Sequence, residues 1–307
     1  MSTIPAQSAM PPQPTASVVQ LHTSASGARR IKDTIFRIFL YLALAIALGT
    51  LAILLIDTFL EGKSRLNWDL LTNFPSARPA RAGIQSAIFG SLWVVGTTAL
   101  LSLPLGIAAA VYLEEFARKD RWYNRLIELN IQNLAAVPSI VFGILGLAFI
   151  ARGPLDLGFT VLTAALILTM VVLPTVVITS REALRAVPMS LRHGGLALGA
   201  TRWQVVSRQV LPAAVPGIAT GSILATSRAL GESAPLLLLG ALTFVTFNPD
   251  GFDSQYTVLP IQIFKYISDA KDEFKPLAAA SAIVLLVMLI AMNSLAIFVR
   301  NRFQRKW

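Results

Sequence analysis

The chain has 307 residues, 55% of them hydrophobic and 14% charged, with a formal net charge of +10 and no cysteine. A soluble protein of this size carries about 25% charged residues, so the deficit points to a second apolar solvent, the lipid bilayer. The lack of thiols excludes a disulfide framework and a thiolate metal site, and His22 and His193 are too far apart in sequence to argue for a histidine centre.

Residues 1–28 carry no charge and are rich in Pro, Ser, Thr and Gln, with Pro5, Pro11, Pro12 and Pro14. Such a segment cannot bury enough apolar surface to offset its ordering entropy, so a disordered cytoplasmic tail is expected over residues 1–34. It lacks the charged start and compact apolar core of a signal peptide. Residues 35–307 are expected to form one all-α transmembrane domain.

A helix needs about 20 apolar residues to cross a bilayer core. Uncharged stretches of that order occur at residues 38–56, 82–113, 129–151, 157–180, 209–227 and 276–299, predicting six transmembrane helices. Pro104, Pro138, Pro174 and Pro216 fall in or near them, and each frees a carbonyl and tends to kink a helix. With the N-terminus inside, the inner segments hold 17 Lys and Arg and the outer ones 8. That asymmetry predicts both termini in the cytoplasm of a multi-pass inner-membrane protein. It also accounts for the basic balance without nucleic acid, for which no reader motif is present.

The inner segment 180–209 is too polar to cross and too patterned to be slack. Gly199 suits the end of one helix, where a left-handed residue closes the last turn. Thr201-Arg202-Trp203-Gln204 fits a capping box opening the next. A helix, a tight turn and a second helix are expected, with Leu196, Leu198, Trp203, Val205 and Val206 as apolar surface. The hairpin suits either the lipid interface or a soluble partner.

Here the residues carry a resemblance. Gly199-Ala200-Thr201-Arg202-Trp203, followed by Val210-Leu211-Pro212, resembles the cytoplasmic signature loop of bacterial ABC importer permeases. In that family the motif opens with Glu-Ala-Ala and closes with Leu-Pro. Further segments resemble the phosphate importer permeases of the PstA type: Tyr112-Leu113-Glu114-Glu115-Phe116, residues 133–143 around Val137-Pro138-Ser139, residues 181–188, and Arg228-Ala229-Leu230-Gly231-Glu232-Ser233-Ala234-Pro235. The resemblance implies a fold of ABC importer permease type, with His193, Gly199, Ala200, Thr201, Trp203, Leu211 and Pro212 in the loop that meets the ATPase. It also implies partners: a second related permease, two ATP-binding subunits and an external phosphate-binding protein. Two places depart from the pattern. His193-Gly194-Gly195 stands for Glu-Ala-Ala, and Gln209 for the usual Ile. A Glu three residues after Ser190 would complete a second capping box, and two glycines cost a helix about 1 kcal/mol each. A weakened or shifted first helix is therefore expected.

Arg228 and Glu232 interrupt a long apolar region, four residues apart, so they can share a helix face and pair. Ionisable groups at membrane depth are expensive and mark substrate paths or structural ion pairs. Gly231 and Pro235 can break the helix beside them, and residues 233–249 are marginal for a further crossing, fitting a re-entrant or broken segment. An arginine fork suits phosphate oxygens, and the resemblance assigns Arg228 and Glu232 to phosphate passage. On the outer side, Asn248-Pro249-Asp250-Gly251 signals a turn. Leu259, Ile263, Phe264 and Ile267 then suggest a short amphipathic helix.

No phosphate-cradling Gly-x-x-x-x-Gly-Lys loop is present, so ATP hydrolysis is expected in a partner. No metal and no cofactor is expected. The leading expectation is therefore a phosphate importer permease. The alternatives are a permease for another oxyanion, or a secondary transporter, although the midplane charges and paired halves of the latter are missing. A membrane enzyme would need convergent acids and bases that the spans lack.

Overall fold

Backbone groups in lipid must bond internally, which makes the helix the natural element of an apolar chain. In the computed structural model the described residues are 27–118, 120–239 and 244–303, and among them there are helices and no named strand. In chain order these are α1 (Gly27–Gly62), α2 (Trp68–Thr72), α3 (Gln85–Val111), α4 (Trp122–Ala136), α5 (Ser139–Leu145) and α6 (Val161–Arg185). Next come α7 (Met189–Ala197), α8 (Arg202–Val205), α9 (Leu211–Gly231), α10 (Ala234–Leu238), α11 (Leu259–Ile267) and α12 (Lys275–Phe303). π-Helical turns extend α3 over Tyr112–Phe116, α5 over Gly146–Ala151 and α8 over Val206–Val210.

Five of the helical stretches are long and apolar enough to cross a membrane, and six if α4 and α5 count as one bent span. The expected third crossing is thus not straight: α4 and α5 meet at 101°. The cause is Pro138, which forces Val137 out of the helical region, to φ −69° and ψ 131°, and ends α4 at Ala136. Pro104, Pro174 and Pro216 lie inside α3, α6 and α9, which continue through them.

The chain divides into two units, Met1–Leu54 and Leu55–Trp307. The first contains most of α1, whose stretch 38–56 carries no charge on any side, as suits a membrane-crossing helix. Of the expected tail, residues 1–26 lie outside the described residues. Residues 27–34 are the opening turns of α1, where Arg29, Arg30 and Lys32 favour a helix.

In the second unit α6 is central, with Ala164, Ile167, Leu168, Val172 and Val176 buried. α3 and α9 pack on it closely because glycine sits at the crossings. A Cβ on Gly106 would collide with Val176, and one on Gly221 with Thr179. A groove of about 830 Å³ runs between α3, α9 and α12, lined by apolar side chains and ending at Arg300, which donates to Thr220 Oγ1 at 2.9 Å.

The segment before α11 is bonded to the N-terminal ends of α6 and α3. The amides of Val161 and Leu162 donate to Ser254 O and Phe252 O, at 3.0 and 2.9 Å, and Ser86 Oγ donates to Val245 O at 2.8 Å. A turn forms, but at Gly251–Ser254, three residues beyond the one expected: the Ser254 amide donates to Gly251 O at 3.4 Å, and Ser254 Oγ accepts from the amides of Asp250 and Gly251 at 3.2 Å each. α11 also forms, and the side it buries overlaps the expected apolar pattern in part. Leu259, Ile261, Gln262 and Tyr266 are buried and Ile263 is half-buried, while Phe264 and Ile267 are exposed. The reason is tertiary: Tyr266 stacks on Phe274 and donates to Gly83 O at 2.7 Å, which rotates the covered side towards it.

Candidate functional site

Two groups of residues singled out in the sequence sit at opposite ends of α9. At its start lies the α7–α8 hairpin. α7 closes on a left-handed Gly199, with φ +80°. The amide of Gly199 donates to Leu196 O at 3.0 Å and that of Ala200 to Gly195 O at 3.2 Å. These are the two bonds of a glycine-closed helix end. Thr201 then opens α8 with the full capping box: the Gln204 amide donates to Thr201 Oγ1 at 3.3 Å, and the Thr201 amide to Gln204 Oε1 at 2.8 Å. Both halves of this turn follow from local rules.

The first helix departs from expectation. α7 runs its nine residues through Gly194 and Gly195 without a break. Gly195 is buried, and a Cβ there would lie 2.8 Å from Val205 Cγ2 and 2.9 Å from Gln209 Oε1. The small residue lets α7 lie against the following helix, and that packing offsets the weak propensity of glycine. The two departures from the family pattern, at 195 and 209, therefore face each other. The second capping box is also ruled out. α7 starts at Met189 after an extended Pro188, so Ser190 lies inside the helix, and position 193 could not close a box on it.

The expected apolar surface divides. Val205 and Val206 are buried, whereas Leu196, Leu198 and Trp203 are exposed, Leu198 to 88%. His193 is exposed on α7, and Ala200 is half-buried in the turn. Trp203 lies 6.0 Å from the Phe116 ring, and the Arg202 guanidinium 5.8 Å from the same ring. Leu211 and Pro212 open α9. Pro212 has no N–H for the carbonyl one turn back, and the chain before it widens into the π-helical turn.

At the far end of α9, Arg228 occupies the last turn and Glu232 follows its final residue. The helix breaks after Gly231, and α10 then runs for five residues instead of crossing. Residues 240–243 of the segment beyond lie outside the described residues. The pair forms but is loose: Arg228 Nε lies 3.8 Å from Glu232 Oε2, with the arginine side chain 52% exposed and the glutamate 16%. Glu232 has a firmer partner that sequence reasoning missed, since Ser139 Oγ donates to Glu232 Oε1 at 2.7 Å. Ser139 is the first residue of α5, placed by the bend at Pro138. α5 is held there because Gly143 packs directly on the Pro235 backbone. Arg228, Glu232 and Ser139 thus come together, while the α7–α8 hairpin lies away from them by the length of α9, about 25–30 Å.

A third group, not anticipated as a site, ties together the helices beside the α7–α8 hairpin. Arg181 pairs with Glu114 at 3.4 Å and Glu128 at 2.8 Å, and Arg185 with Glu114 at 2.9 Å. Arg192 pairs with Glu115 at 2.6 Å. Glu114 and Glu115 lie in a segment quoted above for its resemblance and Glu128 in none, but 53 to 77 positions separate the partners, and no local rule reaches that far.

Comparison with known proteins gives the family. Residues 102–307 match the family described as "Binding-protein-dependent transport system inner membrane component". The chain is 33% identical over 237 residues to the probable ABC transporter permease protein YqgI of Bacillus subtilis, covering 77% of this chain and 80% of that one. It is 31% identical over 268 residues to the phosphate transport system permease protein PstA of Haemophilus influenzae, covering 87% and 92%. Among solved structures, a bacterial alginate ABC transporter in complex with its alginate-bound periplasmic protein superposes with a TM-score of 0.67 at 18% identity, covering 90% of this chain and 96% of that one. The MetNI methionine ABC transporter gives a TM-score of 0.57 at 16% identity, covering 75% and 100%.

Proposed function

Because the chain belongs to the family of inner membrane components of binding-protein-dependent transport systems, and so is a multi-pass permease subunit and not an enzyme, we propose that it conducts inorganic phosphate into the cytoplasm as part of an ATP-driven importer working by alternating access. The relatives named as phosphate permeases, similar over most of their length, support the substrate. The observation that carries it is the half-exposed guanidinium of Arg228 beside a carboxylate whose other oxygen is held by Ser139.

That geometry suits transient anion binding. Arg228 keeps a permanent charge and a planar donor fork for phosphate oxygens. Glu232 sits close enough to weaken the arginine's grip on an anion but, tethered to Ser139, does not close on it. An anion that binds too tightly would not leave, and one that meets no charge would not enter. Sulfate and molybdate offer the same oxygens, and the external binding protein would do most of the selection among them. Family membership removes the secondary-transporter reading.

In the assembly the partners would be a second related permease, two ATP-binding subunits that hydrolyse ATP, and an external phosphate-binding protein. The exposed Leu196, Leu198 and Trp203 on the α7–α8 hairpin would meet an ATP-binding subunit. α9, continuous with that hairpin, would carry its displacement to Arg228. The test is ATP-dependent uptake of radiolabelled phosphate in proteoliposomes holding the whole complex. Arg228→Gln is expected to abolish uptake while the complex still assembles. Unchanged uptake would reduce Arg228 to a structural ion pair. Uptake of sulfate or molybdate in place of phosphate would correct the substrate alone.

A further inference from the structure

Arg192, on α7, reaches three places at once. Its Nη2 and Nε donate to the two oxygens of Glu115 at 2.6 and 3.3 Å, a two-point grip on the π-helical turn that closes α3. The same guanidinium donates to Leu184 O at 2.9 Å, in the last turn of α6, and to Val187 O at 2.7 Å just beyond it. Little of this contact faces solvent, with the arginine side chain 14% exposed and the glutamate 7%. A buried fork-to-carboxylate pair fixes orientation as well as distance, and removing one partner strands the other charge. Beside it, Arg181 and Arg185 bind Glu114 and Glu128, which joins the inner ends of α3, α4 and α6 into one block.

α7 is therefore held on two sides. Gly195 seats it against Val205, on the helix that continues into α9. Arg192 seats it against α3 and α6. Without Arg192, a push on α7 would reach the membrane helices only along the chain, back through residues 186–188 to α6 and forward to α9. With it, α7 is also clamped sideways onto the end of α3 and the last turn of α6, so the link at 186–188 cannot flex independently of them.

We propose that Arg192 is a positioning residue that makes α7 and the inner ends of α3 and α6 move as one body, so that ATP-driven displacement of α7 is delivered to all three. This rests on the reading of α7 and α8 as the segment that meets the ATPase. Glu115 and the carbonyls of Leu184 and Val187 are its counterparts.

The chain has no cysteine, so Arg118→Cys, beside the end of α3, and Ser190→Cys, on α7, can both be spin-labelled in the full complex with cysteine-free partners. Trapping with ATP and vanadate should leave the distance between the labels unchanged in the otherwise wild-type chain. It should change that distance in Arg192→Met and in Glu115→Gln, while Arg192→Lys, which keeps the charge but loses the fork, should fall between them and the wild type. In the same two variants, without labels, substrate carried per ATP hydrolysed should fall by about tenfold, with the complex still hydrolysing ATP. A label distance that stays constant on trapping in both variants overturns the proposal, as does one that already changes in the wild type. If Arg192→Met does not assemble, Glu115→Gln decides. Cross-linking of Leu198→Cys to the ATPase tests the docking premise separately. Its failure alone would refute that premise, and the label distances would still report on Arg192.

Discussion

At the scale of single residues, the Arg228–Glu232 pair draws its character from a third side chain. A carboxylate with both oxygens free would close on the nearby guanidinium. Ser139 prevents that by donating a short bond of 2.7 Å to Oε1, while Oε2 stays 3.8 Å from Arg228. Hydrogen bonds to charged groups contribute about 1.5–3 kcal/mol, enough for the serine to help hold the carboxylate where it stands. Ser139→Ala is therefore expected to let Glu232 collapse onto Arg228 and lower phosphate uptake by roughly tenfold, with Ser139→Thr close to wild type. Uptake measured against phosphate concentration checks this, and an unaltered curve would leave Ser139 a passive neighbour. The pairing at four residues was legible in the sequence because it is local. Ser139 was not, because 93 positions separate it from Glu232 and only the bend at Pro138 brings them together.

Among elements, the hairpin shows how packing overrides propensity. Two adjacent glycines predict a weak helix, yet α7 forms, because Gly195 replaces lost propensity with contact against Val205 and Gln209. Gly195→Ala is expected to force Gln209 aside and destabilise the hairpin by about 1 kcal/mol. In a Gln209→Ile background, which removes the oxygen the new methyl would meet, that cost should shrink. The two changes should thus be non-additive by roughly 0.5 kcal/mol or more, read from the thermal unfolding of the four purified variants. Additive costs would mean that the two positions do not sense each other. The cap and the closing glycine of the same hairpin were predicted correctly, since each depends on a handful of consecutive residues. The buried face of α11 was predicted only in part, because the side a short helix presents is chosen by what covers it.

For the whole molecule, α9 runs from the α7–α8 hairpin to the Arg228–Glu232 pair, so in the proposed importer one helix would span the distance between the ATPase contact and the substrate path. That arrangement requires the α7–α8 hairpin inside and the loop at 250–254 outside, in keeping with the 17 to 8 asymmetry of basic residues. The cysteine-free chain allows a direct test. Ser190→Cys should react with a membrane-impermeant thiol reagent from the cytoplasmic side alone, and Asp253→Cys from the outer side alone. The reverse pattern would invert the orientation and place both termini outside. Phosphate uptake collapsing in Arg228→Gln would then connect this topology to transport.

What the sequence determined by itself is what short-range physics controls. Apolar stretches of bilayer length located the membrane helices, proline marked the one sharp break among the described residues, and turn chemistry drew the hairpin. Tertiary structure alone decided what depends on distant partners meeting. It brought Ser139 up to Glu232 across the proline bend, seated Gly195 on Gln209, set which side of α11 is covered, and closed Arg192 on Glu115. Each of these is a contact whose energy comes from a neighbour far along the chain, and nothing in the local pattern of either partner names the other.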